Sequence, residues 1–288
     1  METAWPPSPR HPGAATMPRM TQAPAPDLTD AQIERYARHI MLKEVGGEGQ
    51  ARLLGSSVLV VGAGGLGAPL LLYLAAAGVG RIGVVDHDVV DLSNLQRQVI
   101  HDTGTVGLAK VDSAAARLKA INPDVRVETH AKKLTRANVL DILAGYDVVA
   151  DGTDNFAARF LLNDACYFAG KTLVSAAMLR FDAQLSVFKA HLGEPHPCYR
   201  CVFREPPPPG LIPSCSEGGV LGALPGTIGS MQTIEVLKEL LGIGDSLSGR
   251  LLLYSALETS FRTVKIRRDP TCPLCGTHPV YRDLSHHA

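Results

Sequence analysis

The sequence predicts an α/β fold: a mainly parallel sheet flanked by helices, with antiparallel strands added toward the C-terminal end. Three observations predict it. Short β-branched runs alternate with helix-period segments across residues 58–176. The first run ends in glycines that open a helix. Beyond residue 176, strand-like runs follow without intervening helices of the same sort.

Order begins at residues 27–30, which offer an N-cap, and Ile33, Tyr36, Ala37, Ile40 and Met41 then repeat at helical spacing. Val58-Leu59-Val60-Val61 is apolar at every position, as a strand buried on both faces requires. Residues 66–77 read as a helix and 82–85 as the next strand. Helices over 108–120, 137–144 and 155–169 alternate with strands over 125–129, 148–150 and 172–176. Such alternation builds βαβ units with right-handed crossovers. Residues 184–189, 251–255 and 261–267 read as the antiparallel additions, and 226–241 as a further helix. Between them, 195–225 is irregular and Pro-rich, a length of loop that in a compact domain is usually functional or mobile. No internal repeat stands out.

Composition bounds the function. The chain has 288 residues, with 28 Lys plus Arg against 28 Asp plus Glu, so its formal net charge is zero. That balance gives no reason to expect nucleic acid or a membrane surface as partner. The longest apolar stretch, 66–79, contains Gly67, Pro69 and Gly78 and falls short of the ~20 residues a membrane helix needs. No apolar leader segment opens the chain. Six cysteines are too few for a disulfide scaffold, and four form two Cys-x-x-Cys pairs, which suits a reducing, cytoplasmic setting. Residues 1–27 carry seven prolines and are expected to be a disordered tail, with Met17 and Met20 as alternative starts. Residues 28–280 are expected to form one domain: a nucleotide half over about 55–176 and a second half over about 177–276. Residues 281–288, with His286 and His287, are expected to be a frayed tail.

The chemistry gathers at one rim. Gly62-Ala-Gly64-Gly65-Leu-Gly67 follows a strand and opens a helix, the setting in which backbone N–H groups and the helix dipole accept a phosphate. Asp86, 24 residues past Gly62, ends the next strand and is placed to accept hydrogen bonds from a ribose diol. Asp88, the segment Ser93-Asn94-Leu95-Gln96-Arg97, Lys110 and the pair Asp154-Asn155 fall at the carboxyl edge of the same sheet. A dinucleotide needs two phosphates neutralised. A triphosphate with its metal needs more cations and a carboxylate, which Arg97, Lys110 and Asp154 supply.

Cys198-x-x-Cys201 and Cys272-x-x-Cys275 have the two-plus-two spacing of a tetrahedral Zn²⁺ site. Four thiolates leave no open position, so the expected role is structural. Two redox or disulfide pairs are the competing reading. Cys166, among Phe160 and Leu161, reads as core.

The motifs Gly62-x-Gly-Gly-x-Gly, Ser93-Asn-Leu-Gln-Arg97-Gln, Gly107-x-x-Lys110, Asp151-x-x-Asp154-Asn155 and Pro197-Cys-Tyr-Arg-Cys201 together resemble the ThiF/MoeB/HesA family. These are Rossmann-like adenylyltransferases related to ubiquitin-activating enzymes. The resemblance runs from about residue 33 to 276. It implies ATP- and Mg²⁺-dependent adenylation of the C-terminal glycine of a ubiquitin-like sulfur-carrier protein ending in Gly-Gly, for molybdopterin or thiamine biosynthesis. It assigns Gly65 and its neighbours to the nucleotide, and Asp86 to the ribose. Asn94, Arg97 and Lys110 go to the phosphates, and Asp154 to Mg²⁺ or to orienting the reacting groups. Arg38, in Arg35-Tyr-Ala-Arg38, resembles an arginine that reaches a partner subunit's site, which implies a homodimer. Cys215 stands where some relatives form a thioester or persulfide; a passive loop cysteine is the other reading. No rhodanese-like segment follows Cys275, so a separate sulfur donor, a cysteine desulfurase or rhodanese, is implied. An NAD-dependent oxidoreductase, a non-catalytic scaffold and a tRNA threonylcarbamoyladenosine dehydratase are the rival readings. The first leaves Arg97, Lys110 and the paired cysteines without a task.

Overall fold

The computed structural model describes residues 27–208 and 219–287. Eight strands form one sheet in the order β3-β2-β1-β4-β5-β6-β7-β8. β1 (Ser57–Val61), β2 (Arg81–Val85), β3 (Arg126–His130), β4 (Val148–Asp151) and β5 (Thr172–Leu179) run parallel. β6 (Asp182–Phe188), β7 (Arg250–Ser255) and β8 (Ser260–Lys265) continue the sheet antiparallel. Among the described residues the α-helices are α1 (Asp30–Ile40), α2 (Gly46–Gly55), α3 (Gly67–Ala77), α4 (Lys110–Ile121), α5 (Val139–Ala144), α6 (Phe156–Phe168) and α7 (Ala223–Leu241). None is long and apolar enough to cross a membrane.

β1 shows why the chain makes a three-layered molecule. All five of its residues are buried. Alternate side chains point to opposite faces. Val58 and Val60 pack with α3, α4 and α7 through Leu70, Leu74, Leu118 and Ile228. Leu59 and Val61 pack with α5 and α6 through Leu143, Phe160 and Leu162. Each buried aliphatic or aromatic side chain contributes about 1.5–3 kcal/mol, so the order of apolar residues along β1 fixes both layers at once. The chain adds β2 and β3 on one side of β1 and β4 and β5 on the other, and this switch in strand order opens a crevice at the carboxyl ends of β1 and β4, where such folds bind ligands.

The course of the chain departs from the sequence reading at α2 and at the C-terminal end. α2 lies in a stretch not read as a helix. Its opening residues Gly46, Gly47 and Gly49 are poor helix formers, and packing of the buried Leu53 and Ala51 outweighs that cost. The expectation of a frayed end fails at His286 and His287. Both donate from Nε2 to Asp164 Oδ2, at 2.7 and 2.8 Å, and Leu284 is buried against the α6 layer. Short-range pattern could not show this, because Asp164 is 122 residues from His286 in sequence.

Candidate active site

A cleft of about 1050 Å³ opens along the carboxyl ends of the parallel strands. Its floor is the turn after β1. Gly62 has φ +96°, and a Cβ there would stand 2.7 Å from the Gly152 carbonyl oxygen. A Cβ on Gly67 would collide with the Gly62 carbonyl oxygen. Both positions therefore need glycine for the loop to close onto α3. Gly62, Gly64 and Gly65 line the cleft, and Gly67 sits beneath it, within the first turn of α3.

The loop is held from two sides. Asp86 Oδ2 accepts the Ala63 N–H at 2.8 Å, and Asp86 Oδ1 accepts the Asp88 N–H at 2.9 Å. His101, buried, meets the Ala63 carbonyl with Nε2 at 2.9 Å and the Ser113 hydroxyl with Nδ1 at 2.8 Å. A carbonyl only accepts, so Nε2 carries the proton and Nδ1 accepts from Ser113. Burial holds the His101 pKa below its ordinary value, against the opposing pull of that carbonyl. The neutral ring is thus a structural brace for the loop.

Lys110 and Arg97 are among the cations that line the same cleft as the loop. Lys110, the first residue of α4, is only 6% exposed and donates from Nζ to Asp88 Oδ2 at 2.9 Å. Arg97 donates from Nη1 to the Ser93 carbonyl at 3.2 Å, and its side chain faces the cleft. Asp154 and Asn155 line the opposite wall; Asn155 caps α6 by accepting the Ala158 N–H at 2.9 Å, and Asp154 is exposed beside it.

The structure does not bring every expected residue to the wall. Ser93, Asn94, Leu95 and Gln96 form a 3-10 turn and its exit, with Ser93 bonded to Asp91. None of the four lines the cleft, whereas Arg97 and Gln98 do. Arg38 is exposed on α1, its guanidinium 3.8 Å from its own Met41 sulfur, and it does not line the cleft. Cys215 lies outside the described residues.

Sequence reasoning missed the network under the Asp154 wall. Asp151 is fully buried at the end of β4. Its Oδ1 accepts from the Thr153 N–H and hydroxyl, at 2.9 and 2.6 Å. Its Oδ2 accepts from Ser175 at 2.8 Å and from Arg159 Nε at 3.2 Å. Arg159 also donates to the Thr153 carbonyl at 3.0 Å. A buried, fully hydrogen-bonded ion pair fixes geometry more than it adds stability, and this one fixes the turn that carries Asp154. The available signal was an arginine in the first turn of a helix whose neighbouring positions, Phe156 to Ala158 and Phe160 to Leu162, are all apolar.

The four cysteines meet away from the cleft. Cys198 Sγ is 3.8 Å from Cys201, 3.6 Å from Cys272 and 3.4 Å from Cys275, and Cys201 is 3.4 Å from Cys275. A zinc ion with four sulfurs at about 2.3 Å separates neighbouring sulfurs by about 3.8 Å, so the cluster fits such an ion with small adjustments. The Asp269 N–H points at Cys201 Sγ, at 3.4 Å. Between the first pair, Tyr199 and Arg200 grip α6. The Tyr199 N–H donates to Asn163 Oδ1 at 2.7 Å, and Arg200 donates twice to Asp164, from Nε and Nη2 at 2.8 Å each. Cys166, by contrast, is a buried core thiol whose pKa burial pushes up.

Comparison with known proteins agrees with this geometry. The chain is 54% identical over 258 residues to a sulfur carrier protein adenylyltransferase of Thermus thermophilus, covering 89% of this chain and 95% of that one. It is 52% identical to the SAMP-activating enzyme E1 of Haloferax volcanii, over 86% of this chain and 91% of that one. It is 51% identical to the adenylyltransferase and sulfurtransferase MOCS3 of Bos taurus, over 94% of this chain but 59% of that longer protein. Among solved structures, Escherichia coli MccB with AMPCPP and MccA superposes at a TM-score of 0.73, with 20% identity, over 87% of this chain and 75% of that one; the likeness is one of fold. The ThiF family pattern matches residues 36–274, and the chain belongs to the ThiF family.

Proposed function

We propose that the chain is an ATP-dependent adenylyltransferase. It joins the C-terminal glycine carboxylate of a ubiquitin-like sulfur-carrier protein ending in Gly-Gly to the α-phosphate of ATP. The observation that carries the reading is the convergence of Lys110 and Arg97 with a phosphate-accepting glycine loop in one cleft.

The carboxylate oxygen attacks the α-phosphorus, a C–O–P bond forms, the bond from the α-phosphorus to the bridging oxygen breaks, and pyrophosphate leaves with its electron pair. Both reactants are anions, so the barrier is electrostatic. The nucleophile is already ionised at neutral pH, and no base is required. Lys110 and Arg97 offset charge on the phosphates and the leaving pyrophosphate. In the free protein Asp88 holds the Lys110 ammonium in place, so the cation is positioned before the nucleotide arrives. Asp86 keeps lone pairs for the ribose while bracing the loop. The exposed carboxylate of Asp154 is a hard oxygen donor in the cleft wall and suits Mg²⁺, which when bound supplies further positive charge to the phosphates.

Arg38 serves the site of a second copy in a homodimer, since it does not reach the cleft of its own chain. Cys198, Cys201, Cys272 and Cys275 hold structural Zn²⁺. The activated carrier then receives sulfur from a separate donor such as a cysteine desulfurase or rhodanese, in molybdopterin or thiamine biosynthesis. The test is ATP–pyrophosphate exchange with candidate carriers. Exchange is expected with a carrier ending in Gly-Gly and absent when its last glycine is removed. Exchange that ignores the carrier would refute the reading.

A further inference from the structure

The segment after the cysteine cluster lies beyond the family match at 36–274, yet it is built into the molecule. Tyr281 stacks on His286 at 3.8 Å, and the Arg200 guanidinium lies over the Tyr281 ring at 4.8 Å. Leu284 is buried. Arg136, at the exit of β3, donates to the Ser285 and His287 carbonyls at 3.0 and 2.8 Å. His287 donates from Nε2 to the buried Asp164, and it also lines the cleft, together with Leu134, Thr135 and Phe156.

The sheet order says which part of a nucleotide meets this wall. Phosphates belong at the loop after β1, and the ribose at Asp86 after β2. The next strand outward is β3, whose exit is the segment 132–135, so the base lies there. With Nε2–H committed to a carboxylate, Nδ1 of His287 is left as the ring's acceptor.

We propose that residues 281–287 complete the base subsite, and that His287 Nδ1 accepts a hydrogen bond from the exocyclic amine of adenine. A guanine presents a carbonyl oxygen at the same edge and is disfavoured there. His287 is thus a specificity-determining residue for the nucleotide. This rests on the ATP reading above.

Equilibrium titration of the full chain with Mg-ATP and Mg-GTP tests it. His287→Ala should weaken ATP binding about tenfold, about 1.4 kcal/mol, and shrink the preference for ATP over GTP by a similar factor. Arg136→Met, which frees the tail carbonyls from outside the cleft, should weaken ATP binding in the same direction. Metal content and melting temperature report whether each variant is folded. ATP affinities within twofold of wild type in both variants would overturn the proposal, as would equal loss for ATP and GTP in His287→Ala. The titration reads binding alone. A wild-type protein that binds ATP but shows no pyrophosphate exchange would therefore count against adenylyl transfer and not against this subsite.

Discussion

Lys110 concentrates the argument into one side chain. It is buried except for its approach to the cleft, and its only recorded partner among the described residues is Asp88. Lys110→Ala should lower the exchange rate about 100-fold or more while the circular dichroism spectrum is unchanged. Asp88→Asn should leave the lysine without its resting partner and impair exchange less severely. Asp164 makes a different prediction. Burial acts to raise its pKa, but hydrogen bonds from His287, Arg200 and His286 outweigh burial and hold it at about 2. The unfolded chain, with an ordinary aspartate near 3.9, takes up the proton first as pH falls. The resulting stability of about 2 kcal/mol is complete above about pH 4 and lost as pH drops through about 2. Urea unfolding between pH 5 and 3 should therefore show a steeper loss in wild type than in Asp164→Asn.

α6 is the element through which the cysteine cluster meets the cleft. One end carries the Asn155 cap and the Arg159 brace, and the middle carries Asn163 and Asp164, gripped by Tyr199 and Arg200. Cys272→Ser should abolish stoichiometric zinc and destabilise the fold by at least about 3 kcal/mol. Metal analysis and denaturant melts check both, and an unchanged zinc content would contradict the four-thiolate site. The five parallel strands were legible because each is a β-branched run against a helix-period neighbour, as at Val58–Val61. The antiparallel β6, β7 and β8 were legible from the loss of that rhythm. α2 was not, because glycine propensity and tertiary packing disagree there. In the cleft, the glycine loop, Arg97 and Lys110 were readable because residue type and strand-end position suffice. Arg159 and the Asp164 clasp were hidden because their partners are set by the folded sheet, not by spacing along the chain.

The whole molecule places the cleft at the crevice between β1 and β4, and Arg38 on a surface outside it. If Arg38 completes the site of a second copy, Arg38→Ala and Lys110→Ala should each be inactive alone. Subunit exchange between them should restore about a quarter of wild-type exchange, since half the dimers then hold one intact site of two. No recovery after verified exchange of subunits would place Arg38 outside the site.

The claim beneath all of this is that the cleft lets a carrier carboxylate displace pyrophosphate from ATP. It is tested most directly with a carrier whose C-terminal carboxylate is labelled with oxygen-18. After one turnover and cleavage of the activated carrier by hydroxylamine, AMP is expected to carry one label oxygen and pyrophosphate none. Unlabelled AMP, or label in the pyrophosphate, would contradict it.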